Sequence, residues 1–278
     1  YCKSMNWTGI QYNITVRGAG AILNVAGSLV IDTNVTFEQM QLTLLSNSAG
    51  NVLNTNAQAF GQVQFSGTGD YTMQSELIAT GNILLNSGSL DANGYNISCN
   101  SLNVAGGTTL YSGDILIRIY GTWFSMNPRS LTASGSMPTA DQTNVLFDCT
   151  SGEIVSSSMF TVFDSVIFTG AGSVRNATIN YCSVTEDAVS DGGIIHKAVF
   201  QKNTLLFTNT FDTLICNDVR IYNNITITIN NKLIVYSDCN DFGNIYAYSA
   251  STGAVCTLYC ASGSIDVDYA NIHGVIAT

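Results

Sequence analysis

Between residues 81 and 110 the chain reads GNILLNSGSLDANGYNISCNSLNVAGGTTL. Apolar side chains return there mostly at every second position: Ile83, Leu85, Leu90, Ile97, Cys99, Leu102 and Val104. A period of two is a strand period, with inward and outward side chains alternating. Gly, Asn and Ser close each run after a few residues, as turn residues do. Pieces this short cannot each bury a core. Stacked as the coils of a solenoid, they can share one.

The same pattern recurs along the chain. The first 48 residues carry runs at Ile14 and Val16, Ile22 to Val25, Leu29 to Ile31, Val35 and Phe37, and Leu42 to Leu45. Val63 and Phe65 face one way and Gln62 and Gln64 the other. Ile115, Ile117 and Ile119 alternate with Leu116, Arg118 and Tyr120. From residue 144 the runs resume, and the clearest predicts a strand over Asn224–Asn230 with Ile225, Ile227 and Ile229 inward and Thr226 and Thr228 outward. Residues 121–143 hold both prolines and little periodicity, which predicts a loop or excursion. The expected architecture is therefore all-β: a parallel β-solenoid forming a single elongated domain without clear capping helices. Its parts would be N-terminal coils over 1–120, the excursion over 121–143 and C-terminal coils over 144–278. Coils of about 20–25 residues, stacked at the spacing of hydrogen-bonded strands, would number about a dozen.

Composition narrows the picture. Only 10% of the 278 residues are charged, against roughly a quarter in an average soluble domain. The polar surface must then come from Asn, Ser, Thr, Gln and Gly. The net charge is −10, from 19 acidic and 9 basic residues, and no basic patch is evident, which disfavours nucleic acid as a partner. No apolar run approaches the length of a membrane span, and the opening YCKSMNWTG has no signal-peptide pattern.

Eight cysteines, Cys2, Cys99, Cys149, Cys182, Cys216, Cys239, Cys256 and Cys260, are disulfide candidates. An even number in a charge-poor β protein favours oxidised pairs outside the cell. Cys216, Cys239 and Cys260 are spaced to suit neighbouring coils. The alternative is buried thiols that fill rungs as small apolar residues. Sequons place candidate glycosylation sites at Asn6, Asn13, Asn34, Asn96, Asn176 and Asn224.

The blocks LNSGSLDANGYNISCNSLNV (85–104), FDTLICNDVRIYNNITITINNKLIVYS (211–237) and NIYAYSASTGAVCTLYCASGSIDVDYANIHGVIAT (244–278) resemble right-handed parallel β-helix proteins of environmental bacteria and phages. These are exported or virion-associated and mostly uncharacterised. The resemblance implies that the solenoid is a right-handed parallel β-helix and specifies function poorly.

Some β-helices degrade polysaccharides, so paired carboxylates matter. Asp266 and Asp268 share a strand face, and Glu186, Asp187 and Asp191 cluster in TEDAVSDGG, with Arg175, Lys197 and Lys202 near in sequence. Ser237 to Asp241 could offer oxygens to calcium but lacks the loop spacing and the bidentate Glu. His196 and His273 have no Ser or Cys partner in a recognisable motif. No phosphate loop occurs, and RGAGA at 17–21 reads as a solenoid turn. Tyr246, Tyr248 and Tyr269 could line a sugar-binding face or form a stacking ladder. No catalytic, cofactor or metal set emerges.

Three readings follow. The first is a non-enzymatic structural subunit of an extracellular fibre or surface assembly, self-associating through exposed sheet edges. The second is an adhesin or phage tail-fibre module that binds surface glycans. The third is a polysaccharide lyase or hydrolase. The setting expected for all three is the cell or virion surface.

Overall fold

A computed structural model describes residues 2–105, 108–126, 143–156, 162–222, 224–236, 243–248, 255–260, 262–267, 270–273 and 275–277. Among the described residues the chain is all-β, with no helix and 65% strand, and its parallel stacked strands form a β-solenoid of about 11 turns. It divides into two compact units, Tyr1–Leu146 and Phe147–Thr278. Most of the 121–143 stretch, with Cys239, Asp268, Tyr269 and the Ser237 to Asp241 run, lies outside the described residues.

In the first unit, coils are built from strands mostly of two to four residues joined by tight turns. One wall is a six-stranded parallel sheet: Met5–Asn6, Leu29–Val30, Asn51–Asn54, Asp70–Met73, Ser89–Asp91 and Thr109–Tyr111. A second wall stacks Ile22–Val25, Gln41–Leu44, Val63–Phe65, Asn82–Leu85 and Ile97–Val104. Its register aligns Leu42, Val63, Ile83 and Leu102 in one column, each standing directly above the one before. All four are at most 1% exposed, so the alternation seen in the sequence is the inside–outside alternation of the wall.

The turns need left-handed backbone, and Asn and Gly supply it at little steric cost: Asn56 has φ 53°, Asn93 50° and Gly88 75°. Gly88 is doubly constrained, because a Cβ there would lie 2.3 Å from the Gly69 carbonyl oxygen of the previous coil. Where polar groups turn inward, they are satisfied. The buried Asn51 amide donates to the Asp70 carbonyl at 2.9 Å, and its oxygen accepts from Ser46 Oγ at 3.2 Å.

The second unit closes its coils differently. Strands lengthen to Val162–Phe168, Thr178–Val184, Ile194–Leu206 and Thr210–Tyr222. Val166, Cys182, Ala198 and Leu214 form one inward column, and the constant step between them is sixteen positions, shorter than the coil length expected from the sequence. This column keeps its step without a register shift; bulges change the step elsewhere, to fifteen between Asn203 and Asp218 and from eighteen at Phe211 to nineteen at Thr213. Beyond residue 226 the coils lengthen again, as Thr226 pairs Thr257 and Lys232 pairs Ser264.

At two positions here glycine makes room for a ring rather than for backbone. Phe147 and Phe168 stack in the core with centroids 4.5 Å apart and planes 8° apart. A Cβ on Gly152 or Gly172 would meet the Phe147 or Phe168 ring at 2.5 or 2.7 Å. The buried Asn209 spans two coils, donating to the Ser190 carbonyl at 2.7 Å and accepting from the Gly193 amide at 3.1 Å.

Two expectations change. The strand predicted from Asn224 begins at Thr226, because Asn224 takes φ 60° and turns the chain; Ile227 and Ile229 are buried, and Ile225 only partly. The cysteines expected to pair do not: Cys2, Cys99, Cys149, Cys182, Cys216, Cys256 and Cys260 are free thiols. Register explains it for the four buried ones. Cys99 stacks on Ile119, Cys182 between Val166 and Ala198, Cys216 between Phe200 and Val235, and Cys256 on Val275. None of these four stands above another, and each fills a rung as a small apolar residue.

Candidate functional site

Inward positions are taken by the core, so any chemistry must lie on outward-facing residues. In the second unit the short coil places residues sixteen apart directly above one another, about 4.8 Å apart. The outward positions thus become columns running across strands. Consecutive coils hold one another through them.

One column runs Asp164, Asn180, His196, Asp212. Asn180 Nδ2 donates to Asp164 Oδ1 at 3.4 Å, and His196 Nδ1 lies 2.6 Å from Asp212 Oδ2. Asn230 Nδ2 donates to the other Asp212 oxygen at 2.8 Å. The hydrogen bonds from His196 and then Asn230 hold the Asp212 carboxyl below the usual carboxylate range, against a smaller opposing effect of burial.

The acidic cluster at Glu186, Asp187 and Asp191 is drawn into the same kind of contact. Glu186 is ion-paired with Lys202, and Asp187 accepts from Asn203 Nδ2 at 3.1 Å. Asp191 stands in register with Arg175, whose Nε pairs with Glu153 at 2.9 Å. Lys197 lies 5.9 Å from the Tyr181 ring centroid, a cation–π contact. Arg175, Lys197 and Lys202 are therefore dispersed over different partners rather than gathered at one point. Near the end of the unit, Asp266 is exposed and lies 3.4 Å from Lys232 Nζ.

A shallow groove of about 470 Å³ is lined by Asp148, Cys149, Thr150, Thr169, Gly170 and Glu186. Backbone bonds from Thr169 to Phe147 and from Thr185 to Phe168 put Asp148 and Glu186 two coils apart on one side of the stack, which is about 10 Å. That is roughly the upper limit for a pair of glycosidase carboxyls, and Glu186 already holds Lys202. Burial, slightly relieved by a hydrogen bond to Ser151, pushes the Cys149 thiol up, away from thiolate reactivity. Burial likewise pushes Cys99 and Cys182 up to about 12 and Cys216 further still. Among the described residues, no three His, Cys, Asp or Glu side chains gather to hold a metal.

Aromatic residues share the outward face of the strands that end at Leu206 and Tyr222. Phe207 and Tyr222 stack with centroids 5.0 Å apart, and the Arg220 guanidinium lies 5.5 Å from the Tyr246 ring centroid. Beside them Arg220 reaches Asn203 Oδ1 at 3.4 Å, and Asp218 Oδ1 accepts from Asn244 N and Nδ2 at 2.8 and 2.9 Å. Of the tyrosines singled out in the sequence, only Tyr246 has a described side chain. Its neighbours Phe207, Tyr222 and Arg220 are found only by register, since these coils do not keep the step of sixteen; a search for that period would have pointed to the ion-pair columns alone.

The first unit has a smaller groove of about 290 Å³, lined by Glu76, Asn96, Arg118 and Tyr120 among others. Asn96 Oδ1 there accepts the Leu116 amide at 2.9 Å, and Asn34 Nδ2 donates to the Ile10 carbonyl at 2.6 Å, so both sequon amides are engaged. Asn6, Asn13, Asn176 and Asn224 are exposed. The side chain of His273 lies outside the described residues.

No family model matches the chain, and neither a curated protein nor a solved structure matches it. Among the described residues no helix is long and apolar enough to cross a membrane.

Proposed function

We propose that the chain is a structural subunit of an extracellular fibre or surface assembly, built by joining solenoids through their sheet edges. The observation that carries this reading is apolar surface exposed on parallel strands: Ile265 on Ser264–Val267, Ile272 on Ala270–His273 and Ile276 on Val275–Ala277 are 40%, 59% and 50% exposed. In the first unit Ile22, on Ile22–Val25, is 54% exposed.

A parallel strand at a sheet edge presents a row of backbone donors and acceptors that another strand can complete. A second copy would supply both the hydrogen bonds and the apolar contact. Only 10% of residues are charged, so few charges need be desolvated where copies meet, and outward polar residues such as Glu186 and Asp212 are spent on holding coils together. The surface setting is supported by the amide- and hydroxyl-rich composition and by four exposed sequons.

Negative-stain images of the purified protein should show rods longer than one subunit. Ile272→Lys together with Ile276→Lys should return them to monomers while leaving the circular dichroism unchanged. Dispersed monomers of the unmodified protein across a wide concentration range would sink the proposal.

A further inference from the structure

We infer that the outward face around Phe207, Tyr222 and Tyr246 is a binding surface for an uncharged polysaccharide chain. The face is carried by the strands Ile194–Leu206, Thr210–Tyr222 and Gly243–Tyr248. Register sets Phe207 above Tyr222 and Arg220 above Tyr246, so their rings occupy neighbouring outward columns. Tyr222 is 44% exposed although its ring stacks on Phe207. Tyr222 thus offers exposed aromatic surface beside the half-buried Phe207 and Tyr246.

A pyranose ring has an apolar C–H face and a rim of hydroxyls. It is matched by an aromatic plane flanked by fixed hydrogen-bonding groups. Those groups are present. Asn203 is tied between Asp187 and Arg220, and Asp218 is tied to Asn244, so amides and carboxylates beside the rings are already oriented. Pre-orientation lowers the entropy lost when a ligand hydroxyl binds.

The charge on the face selects the ligand. Aromatic rings beside an arginine could also stack nucleobases, but Asp187 and Asp218 lie on the same face and the whole chain carries −10. A phosphate or uronate polymer would meet net repulsion. The rings are carried on successive strands, about 4.8 Å apart, so the face would hold the interior of a chain rather than a single sugar. This inference is independent of end-to-end assembly.

Affinity electrophoresis of the full chain tests it, with gels containing neutral β-glucan, xylan or galactomannan, and polygalacturonate as the acidic counterpart. At least one neutral polymer should retard the protein and polygalacturonate should not. Tyr222→Ala should weaken retardation about tenfold, while Tyr222→Phe, which keeps the ring, should retain it. Thermal midpoints matched to the unmodified protein exclude misfolding; if Tyr222→Ala does not fold, Arg220→Gln should weaken the same retardation. The inference is overturned if no neutral polymer retards the protein, if polygalacturonate retards it equally, or if folded Tyr222→Ala binds as before.

Discussion

The two units close their coils by different means, although each is a parallel stack with an aliphatic interior. The first turns its chain with backbone. Short strands end at left-handed residues such as Gly50, Asn56, Gly88 and Asn93, and one full coil separates Val63 from Ile83. The second uses few left-handed residues and takes some corners at bulges, as between Phe200 and Asn203. Its strands run through the corner, and the coil shrinks to the interval from Thr178 to Ile194, repeated from Ile194 to Thr210. The left-handed positions fall accordingly to Asn176, Gly192 and Asn224 among its described residues. The difference decides where polar chemistry can gather. A constant step stacks unlike polar residues into ion pairs and amide bridges, whereas the turn-rich coils spend their amides on their own backbone, as Asn93 does with the Met73 carbonyl at 3.1 Å.

If side chains hold the second unit, removing one central ring should have the largest effect. Phe168 is fully buried and stacks on Phe147. Phe168→Ala would lose the transfer of the ring and leave a cavity that the rigid ladder cannot collapse, about 4 kcal/mol. Urea denaturation should show this as a lower midpoint. An unchanged midpoint would mean that backbone stacking alone carries the unit.

The counterpart in the first unit is Gly88→Ala, with an effect of about 3 kcal/mol in all, built from two causes. A left-handed alanine costs about 1–2 kcal/mol, and the new Cβ, 2.3 Å from the Gly69 carbonyl oxygen, forces two coils apart, about 1–3 kcal/mol more. No second substitution should relieve it, because the obstacle is backbone. Gly172→Ala in the second unit meets the Phe168 ring at 2.7 Å instead, so adding Phe168→Leu should recover part of its loss. Denaturation midpoints of the single and double variants test the contrast. Equal rescue in both units would erase the distinction.

The sequence shows this architecture unevenly, and the physical reason is local. Where the interior is aliphatic on alternate positions, as at Ile115, Ile117 and Ile119, the period of two is visible and the residues are buried as expected. Closure is less legible. Asn224 looks like the start of a strand because its followers alternate, yet its left-handed backbone makes it the end of a turn. The number of thiols predicts disulfides, but pairing depends on register, and a one-residue difference in coil length moves a cysteine off its partner. The outward columns are hidden for the same reason. Glu186 and Lys202, or His196 and Asp212, are unrelated in sequence until the step of sixteen is known.

The smallest effect distinguishes a column that stabilises its coils from one that only decorates them. Asp212 accepts from His196 and Asn230, and its carboxyl is held below its ordinary value of 3.8. A carboxyl whose folded value is depressed contributes stability that is present above its unfolded value and lost as pH falls through the folded one. Asp212→Asn should therefore lower the thermal midpoint slightly at neutral pH, within the range of about 0–1 kcal/mol for a partly exposed pair. The gap between variant and unmodified protein should begin to close near pH 3.8 and vanish below it as Asp212 protonates in both states. His196→Gln should reproduce part of the neutral-pH loss by removing the main hydrogen bond to Asp212. A gap that persisted unchanged into acid would mean that the carboxylate charge contributes nothing, and that the short coil is held by its interior alone.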